Sequence, residues 1–353
     1  MKVDQIKVYS RDKIRPLAGL IAACALLGTS AARAAEPPSP QAAGIAVQEG
    51  KVQANGITIA YESFGPTNRE TVLMIMGNGT QLTAWPIELI DELVRRGYRV
   101  VIYDNRDVGL STKFNEAGTP DARAVIEAQI AGKPSLLPYS LDDMAKDAVG
   151  LLDALGIKKA HIVGVSMGGM IAQLVAADHP KHTLSLTSIM STSGNPAVPF
   201  PAKPEALSKM PKPVPGGNEE SIITNAVNAI RILAGPVYPP DEKRIRALVA
   251  SSMKRSTDTA GMARHNALSA LGLYVDRRPK LKTIKVPTVV VHGAEDPLMS
   301  VEGGKDTAAN IPGAELRIIP GMGHDLPIPL AKTIADAIIA AASRATGAKP
   351  VAK

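Results

Sequence analysis

Residues 160–177 read "AHIVGVSMGGMIAQLVAA". An unbroken apolar run leads into a serine flanked by glycines, and a second apolar run at helical spacing follows. This reads as a buried strand, a sharp turn at Ser166 and a helix opening at Met167. The pattern Gly-x-Ser-x-Gly is weak evidence alone. At roughly 7% usage of each residue, about one chain of this length in ten carries it by chance. Whether Ser166 is a presented nucleophile or an ordinary loop serine is decided by the rest of the chain.

Upstream, residues 51–65 alternate apolar and polar around Asn55-Gly56, a strong signal for a two-residue hairpin turn. The pattern then changes to continuous apolar strands at 71–76, 99–104 and 160–165, separated by helical periodicity at 88–96 and 140–156. Ser140 and Asp143 form a capping box at the start of the second helix. A strand at 184–190 follows the helix of the opening stretch. Such alternation predicts a mostly parallel sheet with helices on both faces. The rhythm breaks over 193–284, where a proline-rich stretch is followed by helical patterns near 219–234, 241–254 and 258–271. This insertion reads as a helical cap, or lid. Strands resume at 286–293 and 315–319, and a helix over 327–344 closes the fold. The chain thus divides into core segments 50–192 and 285–345, the cap, and a flexible tail at 346–353.

The net charge of +7 over 353 residues would suggest an anionic partner, but it is concentrated at the start. Residues 1–34 hold six Lys or Arg and two Asp, and the remainder carries 34 basic against 31 acidic residues with no basic block. Nucleic-acid binding is not expected. Lys2, Lys7, Arg11, Lys13 and Arg15 precede a twelve-residue apolar run at 17–28 and an Ala32-Arg33-Ala34 cleavage site. Together these features read as a secretory signal over 1–34. The run is too short for stable membrane insertion. Export to the periplasm or medium is the expectation, and residues 35–49 read as a disordered linker. The single cysteine, Cys24, lies inside the apolar run. "IAAC" at 21–24 also resembles a lipoprotein box, which would instead make Cys24 a lipidated anchor. Without the leader no disulfide is possible.

A serine hydroxyl needs a base and an orienting acid. Of six histidines, His161 and His292 lie within strands, His179 and His182 at the far end of the helix after Ser166, and His265 in the cap. Only His324, in "PGMGHDLP" (320–327), falls in a loop after the last strand, on the sheet edge that carries Ser166. The acid belongs after the penultimate strand, where "HGAEDPLMS" (292–300) offers Glu295 and Asp296. The order serine, acid, histidine is the one this reading requires. Oxyanion donors would be the Met167 N–H and one from "MGNGT" (76–80), where Asn78 is preferred and Gly77 is the alternative. Asp104 and Arg106 in "YDNRDVGLS" (103–111) are expected to brace loops. Trp85 reads equally as pocket lining or core, and Met210, Met253 and Met262 as cap packing. No metal-ligand spacing or phosphate-binding glycine fingerprint is present.

At these residues the chain resembles the α/β-hydrolase superfamily over nearly all of 50–345. More narrowly, "MIMGNGTQLTAWP", "YDNRDVGLST", "YSLDDMAKDAVGLLDALGI" and "DRRPKLKTIKVPTVVVHGAEDP" resemble its aclacinomycin methylesterase-like branch. The resemblance implies an α/β-hydrolase fold with an eight-stranded sheet, and an acid directly before proline, which selects Asp296 over Glu295. It also implies cofactor-free hydrolysis of small to medium apolar carboxylic esters. Site roles carried over are Ser166, Asp296, His324, Met167 and Asn78. Met76 departs from the family's usual His-Gly opening of the oxyanion loop, and the export signal departs from an intracellular tailoring role. The same constellation supports lactonase, C–C hydrolase, aminopeptidase or cofactor-free perhydrolase chemistry. A non-catalytic binding protein on this scaffold is the reading from another class.

Overall fold

The structure is a computed structural model that describes residues 46–212, 217–258 and 260–347. The signal expected at 1–34, with Cys24, lies outside the described residues, as does most of the linker.

Strands β1 (Val47–Ala54) and β2 (Ile57–Phe64) form the expected hairpin. Asn55 and Gly56 both take positive φ, 48° and 78°, the geometry a tight two-residue turn demands. The strand begins inside the segment read as linker, because Val47 to Glu49 pair with Phe64 to Glu62 across the hairpin. The parallel part follows as β3 (Thr71–Ile75), α1 (Ile87–Arg95), β4 (Arg99–Tyr103), α2 (Ala122–Ile130), α3 (Leu141–Ala154), β5 (Ala160–Val165), α4 (Met167–Asp178) and β6 (Thr183–Ile189). The capping box at α3 is present, with Ser140 and Asp143 each bonding the other's backbone N–H. Among the described residues five helices then intervene: α5 (Pro204–Leu207), α6 (Glu219–Leu233), α7 (Glu242–Arg255), α8 (Ala260–Gly272) and α9 (Arg278–Leu281). The sheet resumes with β7 (Thr288–Gly293), α10 (Val301–Ala309), β8 (Glu315–Ile319) and α11 (Ala331–Thr346). The last helix runs into the segment read as tail and ends at Gly347, whose φ of 68° suits a C-terminal glycine cap.

The eight strands lie in the order β1-β2-β4-β3-β5-β6-β7-β8. The β1–β2 and β2–β4 pairs are antiparallel and the others parallel. The continuous apolar runs have a simple cause. Val72, Met74, Val100, Ile102, Val163 and Val165 face one apolar layer with Leu89, Leu93, Ile334 and Ile338 of α1 and α11. Leu73, Ile75, Val101 and Ile162 face the opposite layer with Met144, Leu151, Ile171 and Val175 of α3 and α4. A strand covered on both sides cannot alternate apolar with polar.

Because the central strands are parallel, the loops that leave β3, β5, β7 and β8 gather at one edge. The inserted helices lie against that edge. Helix α8 packs on α2 and α4, and α7 packs on the short turn Leu82–Ala84. Among the described residues, no helix is long and apolar enough to cross a membrane.

Candidate active site

Ser166 stands between β5 and α4 with φ 56° and ψ −120°, a conformation rarely adopted by residues with a side chain. Such a backbone costs on the order of 1–3 kcal/mol and persists only when its surroundings over-determine it. Here they do. The Ser166 N–H donates to Ile189 O at 2.9 Å, and its carbonyl accepts from the Gly169 amide at 2.9 Å and the Ser191 hydroxyl at 2.8 Å. The flanking glycines are required by close approach. A Cβ on Gly164 would lie 2.0 Å from Gly168 O, and one on Gly168 would lie 2.1 Å from Ile75 O.

His324 sits on the loop after β8. Its Nε2 lies 3.0 Å from Ser166 Oγ, and its Nδ1 lies 2.7 Å from Asp296 Oδ2. A carboxylate only accepts, so Nδ1 carries the proton and Nε2 is left to accept from the serine. The His324 backbone N–H donates to Leu233 O at 2.7 Å, which fixes the loop to the end of α6. Asp296, only 3% exposed, is satisfied on both oxygens. Its Oδ1 accepts the Leu298 and Met299 amides at 2.9 and 2.8 Å. Burial would raise its pKa, but the His324 and His292 rings outweigh that and hold the carboxyl well below the usual range. Glu295, the other carboxylate of that turn, points to an ion pair with Lys203.

Met167 is the first residue of α4, so its amide belongs to the orphan set at a helix N-terminus. Across from it, Gly77 lies directly on the serine. A Cβ there would stand 3.3 Å from Ser166 Cβ and 3.8 Å from Oγ. The Gly79, Thr80 and Leu82 amides are engaged by His265 Nδ1, Gly77 O and Asp104 Oδ1. That leaves Gly77 and Asn78 as the loop's two candidate donors toward Ser166. The Asn78 side chain is turned to the inserted helices, with Nδ2 on Asn266 Oδ1 at 2.7 Å.

Asp104 and Arg106 brace loops. Asp104 accepts from the Leu82 and Leu110 amides and from Arg255 of α7. Arg106 grips Asp147 with two bonds of 2.6 Å. Next to them the buried Arg264 of α8 holds Asp107 at 2.7 and 2.8 Å. Trp85 is core, packed with the Leu82 and Leu89 layer. Met262 reaches the 76–80 loop, its sulfur occupying the space a Cβ on Gly79 would need.

Three groups near the site were not singled out by sequence reasoning. His265 looked like a cap residue, yet it contacts the 76–80 loop. His292 donates from Nε2 to Met299 O at 3.0 Å, with Asp296 Oδ2 only 3.5 Å away. Asp325, adjacent to His324, has a buried Oδ1 with no hydrogen-bond partner among the described residues. For His292 and Asp325 the available signal was a titratable side chain close to a glycine at a strand end or in a loop, and for His265 only a histidine inside a cap helix. That signal is too common to select on.

Burial pushes the Asp325 carboxyl up to about 6, opposed by His324 and the Gly323 amide and reinforced by Asp296. Its folded pKa therefore exceeds its unfolded one. The proton it holds stabilises the fold fully below about pH 4, and that contribution is lost as pH rises through 6. Asp325→Asn is expected to be more stable than the wild type at neutral pH, by on the order of 2 kcal/mol, and so to melt higher, and to match it near pH 4. Thermal melts of both proteins between these limits check this; a constant difference would refute it.

A family profile described as alpha/beta hydrolase fold matches residues 70–329. The chain is 29% identical to rhodomycin D methylesterase DauP of Streptomyces sp. (strain C5), over 82% of this chain and 96% of that protein. It is likewise 29% identical to rhodomycin D methylesterase DnrP of Streptomyces peucetius, over 82% and 96%. Among solved structures, a bacterial membrane phospholipase A superposes with a TM-score of 0.63 at 23% identity, covering 86% of this chain and 87% of that one. At that identity the likeness speaks for the fold alone.

Proposed function

This chain belongs to the alpha/beta hydrolase fold family, and from that premise we propose that it is a serine hydrolase of small to medium, apolar carboxylic esters. The observation that carries the reading is the unbroken path of hydrogen-bond contacts from Asp296 through His324 to Ser166. The similarity to two methylesterases over 82% of this chain supports ester hydrolysis with a small alcohol as leaving group.

In this reading Ser166 Oγ attacks the ester carbonyl carbon as His324 Nε2 takes its proton. The carbonyl oxygen becomes an oxyanion held by the amides of Met167 and of Asn78 or Gly77. The tetrahedral intermediate collapses with cleavage of the ester C–O bond, and His324 returns the proton to the departing alcohol. A water, deprotonated by His324, then attacks the acyl-serine and releases the acid. The described helices between β6 and β7 would form a lid over the site and, with Met262 of α8, the acyl or alcohol pocket. The basic and apolar leader at 1–34 supports export as the route to the site of action.

The test is hydrolysis of p-nitrophenyl esters from acetate to laurate, with labelling by a serine-directed fluorophosphonate. Turnover with an optimum at short or medium chain length, and a label on Ser166, is the expected result. A folded protein with neither turnover nor label would overturn the reading in favour of a binding role.

A further inference from the structure

The oxyanion loop 76–80 contains two glycines, Gly77 and Gly79, and Gly79 takes a φ of 61°. Such a segment has little intrinsic stiffness. Yet oxyanion donors must be held within about 0.5 Å of the productive position to be effective. What holds this loop comes largely from the inserted helices. On α8, His265 Nδ1 accepts the Gly79 amide at 3.1 Å, and the next residue, Asn266, accepts from Asn78 Nδ2 at 2.7 Å.

The His265 ring is itself fixed. Its Nε2 lies 2.8 Å from Arg106 O. A carbonyl can only accept, so the proton sits on Nε2 and Nδ1 is free to receive the Gly79 N–H. Burial depresses its pKa to about 4, so the ring stays neutral, as this acceptor role requires. Arg106 in turn is anchored by its paired bonds to Asp147 of α3. From below, Asn105 Nδ2 holds Met76 O at 3.0 Å. The loop therefore hangs between the core at Met76 and helix α8 at Asn78 and Gly79.

We propose that His265 and Asn266 are positioning residues that set the oxyanion loop in register with Ser166, so that α8 contributes to transition-state stabilisation. This rests on the serine-hydrolase reading above. Wild-type turnover decides that reading by itself, whereas the ratio of each variant to wild type decides this one.

His265→Leu removes both ring hydrogen bonds, and Asn266→Ala removes only the contact to Asn78. His265→Gln offers a planar group with an acceptor and a donor in similar places, and serves as the conservative rescue. The expected result for His265→Leu is a kcat lower by about 10- to 100-fold with KM changed less than about threefold, somewhat below the effect of deleting one oxyanion donor. Asn266→Ala should lower kcat by several-fold. Affinity for a trifluoromethyl ketone, whose hemiketal oxygen occupies the same position as the oxyanion, should fall in parallel. His265→Gln should recover most of both. Should His265→Leu fail to fold, the half-buried Asn266→Ala and the Gln variant still report. Folded variants that melt lower but keep wild-type kcat and ketone affinity would overturn the proposal and leave the pair a purely structural tie.

Discussion

Replacing Ser166 by glycine is expected to abolish ester hydrolysis and, at the same time, to make the protein more stable than the alanine replacement does. Both variants remove the hydroxyl 3.0 Å from His324 Nε2, and with it the atom proposed to attack the carbonyl. A loss of about 10³- to 10⁶-fold in kcat follows for a nucleophile that acts as a unit with its base. The two variants differ in the backbone. Alanine keeps a Cβ in the strained φ of 56°, whereas glycine reaches that region without penalty. The surrounding bonds from Ile189, Gly169 and Ser191 involve only the Ser166 main chain on its side and survive either change. Ser166→Gly should therefore melt about 1–2 °C above Ser166→Ala, as a difference near 1 kcal/mol implies for a protein of this size. Turnover and thermal melts of the two proteins check both halves. Equal melting temperatures would mean that the turn stores no strain, and residual turnover within tenfold of wild type would remove Ser166 from the chemistry.

The strands and the positions of the candidate residues Ser166, His324 and Asp296 were legible because their causes are local. Strands β3, β4, β5 and β7 are buried on both faces, so each is written as a largely apolar run. The turn at Ser166 needs side-chain-free neighbours, so it is written with glycines. His324 and Asp296 follow strands whose ends lie on one edge, so their place in the chain order indicates their place in space. What stayed hidden depends on contacts between distant segments. Helix α10 carries Gly303 and Gly304, poor helix formers, because the helix packs so closely on β7 that a Cβ on Gly304 would meet the His292 ring at 2.6 Å. Helix α2 fell in a stretch with no clear periodicity and is made stable by packing on α8. The same holds for the braces. Asp107 and Arg264 are 157 residues apart, and nothing in the local sequence of either names the other. His265 is the sharpest case. A histidine in a cap helix gives no sign that its ring will accept a backbone amide 186 residues earlier.

Asp296→Asn isolates the proton on His324 with almost no change in shape. In the native site Asp296 Oδ1 receives two backbone amides and Oδ2 receives His324 Nδ1–H. An amide in that position keeps its single oxygen toward the Leu298 and Met299 amides, because turning an NH₂ group there would set donor against donor. Its nitrogen then faces His324 and can only donate, so the ring accepts at Nδ1 and carries its proton on Nε2. In that tautomer Nε2 cannot take the proton of Ser166. It would point a hydrogen at an oxygen that needs to lose one. The nearby His292 Nε2–H, 3.5 Å from Oδ2, favours an acceptor there and cannot rescue the native arrangement. A loss of about 10⁴-fold in kcat is expected, with KM nearly unchanged, since the tautomer enters only when the proton moves. Stability should fall as well. The folded carboxyl is held below its ordinary pKa, so its contribution is present at neutral pH and disappears as pH drops through the acid range. The variant's deficit in melting temperature relative to wild type should therefore be largest near neutrality and shrink in acid. A variant with turnover within tenfold of wild type would mean that Glu295 or another group orients the ring. A deficit independent of pH would mean that Asp296 contributes shape rather than charge.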